Sequence, residues 1–132
     1  MNVSFRSGGI DFVMRILLVE DDRKVGAFLE EGLRQEGFLV DWAQDGEVAV
    51  ELADAGAYDI VLLDFMLPKK DGLQVARDIR RVHQQTPILM LTARDSAEDI
   101  RRGSAAGVND YMGKPFKFDD LLDRIRALIS PP

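Results

Sequence analysis

Asp64 closes the apolar run Ile60-Val61-Leu62-Leu63 and is followed by Phe65-Met66-Leu67-Pro68 and then Asp71-Gly72. A buried strand that ends in a carboxylate and then turns places that carboxylate at its C-terminal edge, where open α/β sheets bind ligands. The run Ile16-Leu17-Leu18-Val19 likewise ends in acids, Glu20-Asp21-Asp22. Two carboxylates about 4 Å apart repel by roughly 4 kcal/mol at an effective dielectric of about 20, so such a cluster calls for a cation. Hard divalent ions take oxygen ligands, and magnesium keeps waters and shares itself with a phosphate. A few carboxylates without a rigid cage therefore suit Mg²⁺ better than calcium. Asp22 also suits the N-cap of a following helix. One task open to Asp64 is nucleophilic: a carboxylate can take a phosphoryl group as an aspartyl phosphate. A metal and a positive side chain would then neutralise the transferring group. Lys114 offers the positive charge and Thr92 a hydroxyl, although Lys114 alone reads better as a surface lysine, and Thr92 alone suits a strand-end cap equally well.

These residues need elements that bring them to one edge. Apolar runs alternate with amphipathic stretches: strands at about 15–20, 38–42, 59–64, 87–92 and 108–112, and helices at about 24–36, 46–55, 73–82, 96–106 and 118–129. Gly37 stops the first helix, and Ser96 caps the fourth, with Glu98 and Asp99 in its first turn. Core positions read from the 3.6-residue period include Val25, Phe28, Leu29 and Leu33, then Val75, Ala76, Ile79 and Val82, then Leu121, Leu122, Ile125, Leu128 and Ile129. The first, third and fourth strands are continuous apolar runs, as parallel strands covered on both faces are. The pattern is α/β: (βα)5, a doubly wound parallel five-stranded sheet of order 2-1-3-4-5. Its switch point falls between the two strands that end in acids. The fourth helix offers only Ala97, Ile100, Ala105 and Ala106 to the core, so it should be the element most easily shifted. Lys114-Pro115 is an X-Pro bond with both isomers open; a cis bond would aim Lys114 back at the acids. Tyr111 reads equally as a ring packed at a sheet edge or as one that changes rotamer with the state of the site.

Composition narrows the functions. The chain has 132 residues, the size of one domain. Residues 1–13 read as an N-terminal extension, an expression remnant or an over-called start, 14–129 as the domain, and 130–132 as the start of a linker. With no cysteine, disulfides and thiolate metal sites are excluded, and His83 is the only histidine. A net charge of −6 argues against this domain gripping nucleic acid by itself. Arg80-Arg81 and Arg101-Arg102 read as solvated faces or protein contacts. No signal-peptide or membrane-length apolar stretch is present, so a cytoplasmic protein is expected.

Taken in order, Glu20-Asp21-Asp22, Asp64 with Pro68 and Asp71-Gly72, Thr92-Ala93 and Lys114-Pro115-Phe116 resemble the receiver domain of bacterial two-component response regulators, a CheY-like, flavodoxin-like fold. The likeness runs from Met14 to about Ile129. It implies that Asp64 is the phosphoacceptor for a sensor histidine kinase's phosphohistidine. It implies Mg²⁺ at Glu20, Asp21, Asp64 and the backbone carbonyl of Met66, a switch pair in Thr92 and Tyr111, and phosphoryl contact by Lys114. Leu91-Thr92-Ala93-Arg94, Asn109-Asp110-Tyr111 and Leu122-Asp123-Arg124-Ile125-Arg126 are similar to the OmpR/PhoB-type winged-helix regulators. That likeness implies a weak homodimer through the face of helix 4, strand 5 and helix 5, carrying Asp99, Arg101, Arg102, Asp110, Asp120 and Arg124, with Asp110 and Arg124 as a pair. DNA binding would belong to a C-terminal domain outside this chain; a stand-alone regulator acting by protein contact is the alternative. The subfamily commonly has Asp where Asn109 stands and Arg where Ile100 stands, which bears on the strength of that dimer. Lys69-Lys70 is more basic than usual. A haloacid-dehalogenase-type phosphatase would need an Asp at Met66, and a flavin-binding module would need a Ser/Thr/Gly-rich loop where the three acids stand. Neither is expected, and no sustained turnover of a substrate is expected either.

Overall fold

A computed structural model describes residues 4–7, 10–93 and 96–129. Two short strands come first, β1 (Ser4–Ser7) and β2 (Ile10–Val13), paired antiparallel in register Ser4↔Val13. This hairpin lies in the stretch to which the sequence pattern assigned no element. The βα units follow: β3 (Arg15–Val19), α1 (Arg23–Gln35), β4 (Leu39–Ala43), α2 (Gly46–Ala55), β5 (Ile60–Asp64), α3 (Gly72–Val82), β6 (Ile88–Thr92), α4 (Ala97–Ala105), β7 (Asp110–Gly113) and α5 (Phe118–Ile129). The five later strands form one parallel sheet of order β4-β3-β5-β6-β7. That is the expected 2-1-3-4-5 order, with β3 and β5 adjacent at the switch point.

Alternation along the central strands splits the core into two layers. Ile16, Leu18, Ile60 and Leu62 pack with Leu29 and Leu33 of α1 and with Leu121, Leu122 and Ile125 of α5. Leu17, Val19, Val61 and Leu63 pack with Ala49 and Ala53 of α2 and with Leu73, Val75, Ala76 and Ile79 of α3. Four helices start on side-chain caps: Asp22, Asp45, Asp71 and Ser96 accept backbone N–H groups of α1, α2, α3 and α4.

The helical period overcounts the core at the flanks. Phe28 is 62% exposed and meets Phe118 edge-on instead, with ring centroids 5.8 Å apart. Val82, at the last position of α3, and Val48 and Ile100 are also exposed. In α4, Ala97 and Ala105 are exposed as well, and the inward positions belong to Asp99 and Gly103, followed by Ala106 at the C-cap. The weak anchoring expected of α4 thus rests on even less apolar surface than the sequence suggested.

Candidate functional site

The ladder of the sheet carries the candidate residues to one edge. Glu20 follows β3 and its N–H donates to Ala43 O at 3.0 Å, while Asp64 is the last residue of β5. Thr92 ends β6, and Lys114, just past β7, donates its N–H to Thr92 O at 2.9 Å. Each strand therefore delivers its chemistry at its carboxyl end, as parallel open sheets do. Lys114 Nζ lies 3.0 Å from Glu20 Oε1 and 3.3 Å from Asp64 Oδ2. The Lys114-Pro115 bond is cis. Carboxylate oxygens of Glu20, Asp21 and Asp64 all fall within 4.8 Å of one another.

The burial is uneven: Glu20 is 1% exposed and Asp64 8%, whereas Asp21 faces solvent. Burial, the hydrogen bond with Asp64 and the Asp64 charge together push the Glu20 carboxyl above its ordinary 4.5, against the pull of Lys114 and of the Asp22 N–H, which reaches Glu20 Oε2 at 3.1 Å. Burial alone would lower the Lys114 ammonium, but the Glu20 hydrogen bond and the two carboxylate charges outweigh it and raise the group above 10.5. Three acids and one lysine at one point leave negative charge over. The donor set is entirely oxygen, with no histidine or cysteine, which fits a hard divalent cation. The exposed Asp21 leaves a path for an ion and its waters.

The other candidates are placed as follows. The Met66 side chain is exposed, and its N–H donates to Asp64 Oδ1 at 3.3 Å. Thr92 is buried at the end of β6. The Tyr111 ring turns toward α4, and its hydroxyl donates to Asp99 O at 2.8 Å. Arg124 Nη1 bonds Asp110 Oδ2 at 2.9 Å and Tyr111 O at 3.0 Å within the chain, so these two expected face residues are already paired. Arg101, Arg102 and Asp120 are exposed. Asp99 is not: it is 8% exposed and accepts from Ser96 Oγ at 2.9 Å, so its carboxylate belongs to the helix's own cap rather than to an open charged face. Arg94, part of the resemblance to winged-helix regulators, lies outside the described residues, as do residues 130–132 of the expected linker.

Some supporting residues escaped the sequence reading. Arg80 is not a solvated charge: it donates to Gly107 O (2.7 Å), His83 O and Thr86 O (both 2.8 Å) and Asn109 Oδ1 (3.0 Å). Asn109 Oδ1 also accepts from Ile88 N at 2.7 Å, so this side chain clamps the loop before β7 to the start of β6. Trp42 donates its indole N–H to Glu20 O at 2.8 Å and lies flat against Gly26, where a Cβ would fall 2.0 Å from the ring. Gly26, as a helix-interior glycine, is the kind of signal that could have marked this close approach.

A family model for the response regulator receiver domain matches residues 16–126, and the chain belongs to that family. It is 45% identical over 116 residues to the transcriptional activator protein IrlR of Burkholderia pseudomallei (strain 1026b), covering 88% of this chain and 50% of that protein. It is 43% identical over 114 residues to the transcriptional regulatory protein HprR of Escherichia coli (strain K12), covering 86% and 51%. The chain thus spans about half the length of the curated relatives it matches, and the shared part is their N-terminal domain. Among solved structures, the receiver domain of sensor histidine kinase PA1611 from Pseudomonas aeruginosa PAO1, with a magnesium ion coordinated in its active site cleft, superposes with a TM-score of 0.84 at 36% identity. That match covers 91% of this chain and all, 100%, of that one. Chemotaxis protein CheY4 of Vibrio cholerae gives 0.85 at 28% identity, covering 89% and 99%.

Proposed function

We propose that Asp64 accepts a phosphoryl group from the phosphohistidine of a sensor histidine kinase, and that this biases the face formed by α4, β7 and α5. The observation that carries the reading is a strand-end carboxylate with an ammonium 3.3 Å away and two further acids around it. An Asp64 carboxylate oxygen attacks phosphorus in line; the P–O bond forms as the donor's P–N bond breaks, and the departing imidazole keeps its electron pair. Glu20, Asp21, Asp64 and the Met66 carbonyl would hold Mg²⁺, which when bound neutralises charge on the transferring group. Lys114, freed from Asp64, pairs with a phosphoryl oxygen, and the Thr92 hydroxyl donates to another. The groove beside Lys114, lined by Val25, Phe28, Ala93, Pro115 and Phe116, is apolar and suits a helix of the donor protein. The chain takes up its own phosphoryl group and loses it slowly to water; it does not turn over a substrate. The relatives named as transcriptional regulators support DNA binding by a further domain of the whole protein as the output.

Acetyl phosphate with Mg²⁺ tests this. One phosphoryl group should appear on intact protein by mass spectrometry and map to Asp64. An Asp64→Ala variant that still gains it would overturn the assignment.

A further inference from the structure

We infer that Gly103 is a positioning residue: the gap it leaves in α4 admits the Tyr111 hydroxyl to Asp99 O and so sets the resting position of the helix. A Cβ built at Gly103 would fall 1.7 Å from the Tyr111 hydroxyl oxygen, 2.6 Å from Cζ and 2.9 Å from Cε2. No side chain fits there while the ring stays, and Gly103 does not have a left-handed backbone that would explain the glycine otherwise. A glycine in a helix interior weakens the helix, so its presence in an element with so little apolar anchoring needs a return, and the Tyr111 bond is that return.

The two ends of α4 are held differently. Its C-terminal end is tied through Gly107 O to the Arg80 guanidinium, which is itself anchored on His83, Thr86 and Asn109. Its first turn carries the Ser96–Asp99 cap, and the Tyr111 bond ties that turn to β7. Releasing Tyr111 therefore frees the N-terminal half of α4 and leaves the C-terminal end as a pivot. That half adjoins the loop after Thr92, so the latch lies between the candidate site and the α4–β7–α5 face. Burial and the Asp99 charge raise the Tyr111 hydroxyl above its ordinary 10.0, in keeping with a ring held inward. The coupling to phosphorylation rests on the function proposed for Asp64; the latch itself does not.

The test compares Gly103→Ala in the native, Tyr111→Ala and Asp64→Ala backgrounds. In the native background, Gly103→Ala should lower the melting temperature, raise amide exchange at residues 100–103 at least tenfold and return the Tyr111 titration toward its ordinary value. In the Tyr111→Ala background the same change should raise the melting temperature, because Ala then adds helix propensity with nothing to collide with. The exchange effect should persist in Asp64→Ala. A loss of stability in both tyrosine backgrounds, or failure of both to fold, would overturn the proposal, as would an unchanged Tyr111 titration. If the single variant fails to fold and the double variant folds, the latch is supported. The initial rate of phosphorylation by acetyl phosphate should rise severalfold in Gly103→Ala, and an unchanged rate would overturn the coupling. No phosphorylation of any variant would count against the function of Asp64 alone.

Discussion

Glu20 sets the proton chemistry of the site. Its carboxyl is raised in the folded chain, so folding favours the neutral form. The sign follows: the stability tied to a neutral Glu20 is fully present below the ordinary 4.5 and is lost as pH rises through the raised value. A divalent ion works in the opposite direction, because it needs the carboxylate ionised. The gain in melting temperature on adding Mg²⁺ should therefore be smaller at pH 4 than at pH 7. Glu20→Gln keeps an acceptor for Lys114 and removes one charge. Metal-free at pH 7 it should melt at or above the parent, and it should gain less from Mg²⁺. Equal gains at pH 4 and pH 7 would place the metal elsewhere. Asn109 is a second instructive residue. Its oxygen is engaged by Arg80 and Ile88, so its departure from the subfamily's Asp touches an internal clamp. An amide oxygen accepts there as a carboxylate oxygen would, without the charge assistance.

Among the helices, α3 and α4 are the instructive contrast. Helix α3 buries Leu73, Val75, Ala76 and Ile79, and fully burying a large aliphatic side chain is worth about 1.5–3 kcal/mol. Helix α4 buries no large apolar side chain. Both have a side-chain N-cap, and losing one costs about 0.5–2 kcal/mol. Asp71→Ala should lower the global melting temperature, since α3 unfolds only with the core. Ser96→Ala should leave that temperature nearly unchanged and raise hydrogen exchange within α4 alone, because α4 can open by itself. Equal global losses would show that α4 is tied into the main cooperative unit. The strand order, the caps at Asp22 and Ser96 and the weakness of α4 were legible because each follows from local composition and period. The exposure of Phe28 and Val82 was not, because periodicity marks a stripe but not where the neighbouring layer ends. The inward place of Asp99, expected on the dimer face, and the internal bonds of Arg80, expected on a solvated face or protein contact, were not legible because residue type says nothing about a serine hydroxyl or loop carbonyls brought within reach by the fold. At the site, the meeting of acids and lysine was legible from strand ends, whereas the roles of Gly103 and Trp42 depend on contacts between distant segments.

For the molecule as a whole, the α4–β7–α5 face is the surface on which a prediction of assembly can be made. Arg101, Arg102, Asp120 and the Asp110–Arg124 pair leave both signs on it, which suits a two-fold contact in which each patch meets its own copy. With Asp99 turned inward and Asp110 already neutralised by Arg124, few charges remain free to reach across. Exposed pairs contribute about 0–1 kcal/mol each and are screened by salt. Light scattering should find a weak dimer with the phosphoryl mimic beryllofluoride, dissociating as salt is raised. A monomer at high concentration with and without it would rule out this face for the isolated domain. Trp42 has a consequence of another kind. It is the chain's single tryptophan, and its indole is bonded to the backbone of Glu20. An ion or phosphoryl group that draws on Glu20 is therefore expected to shift the emission of that ring. Titrating Mg²⁺ or adding acetyl phosphate while following unlabelled fluorescence checks this, and an unchanged emission would show that the indole is insulated from the proposed site.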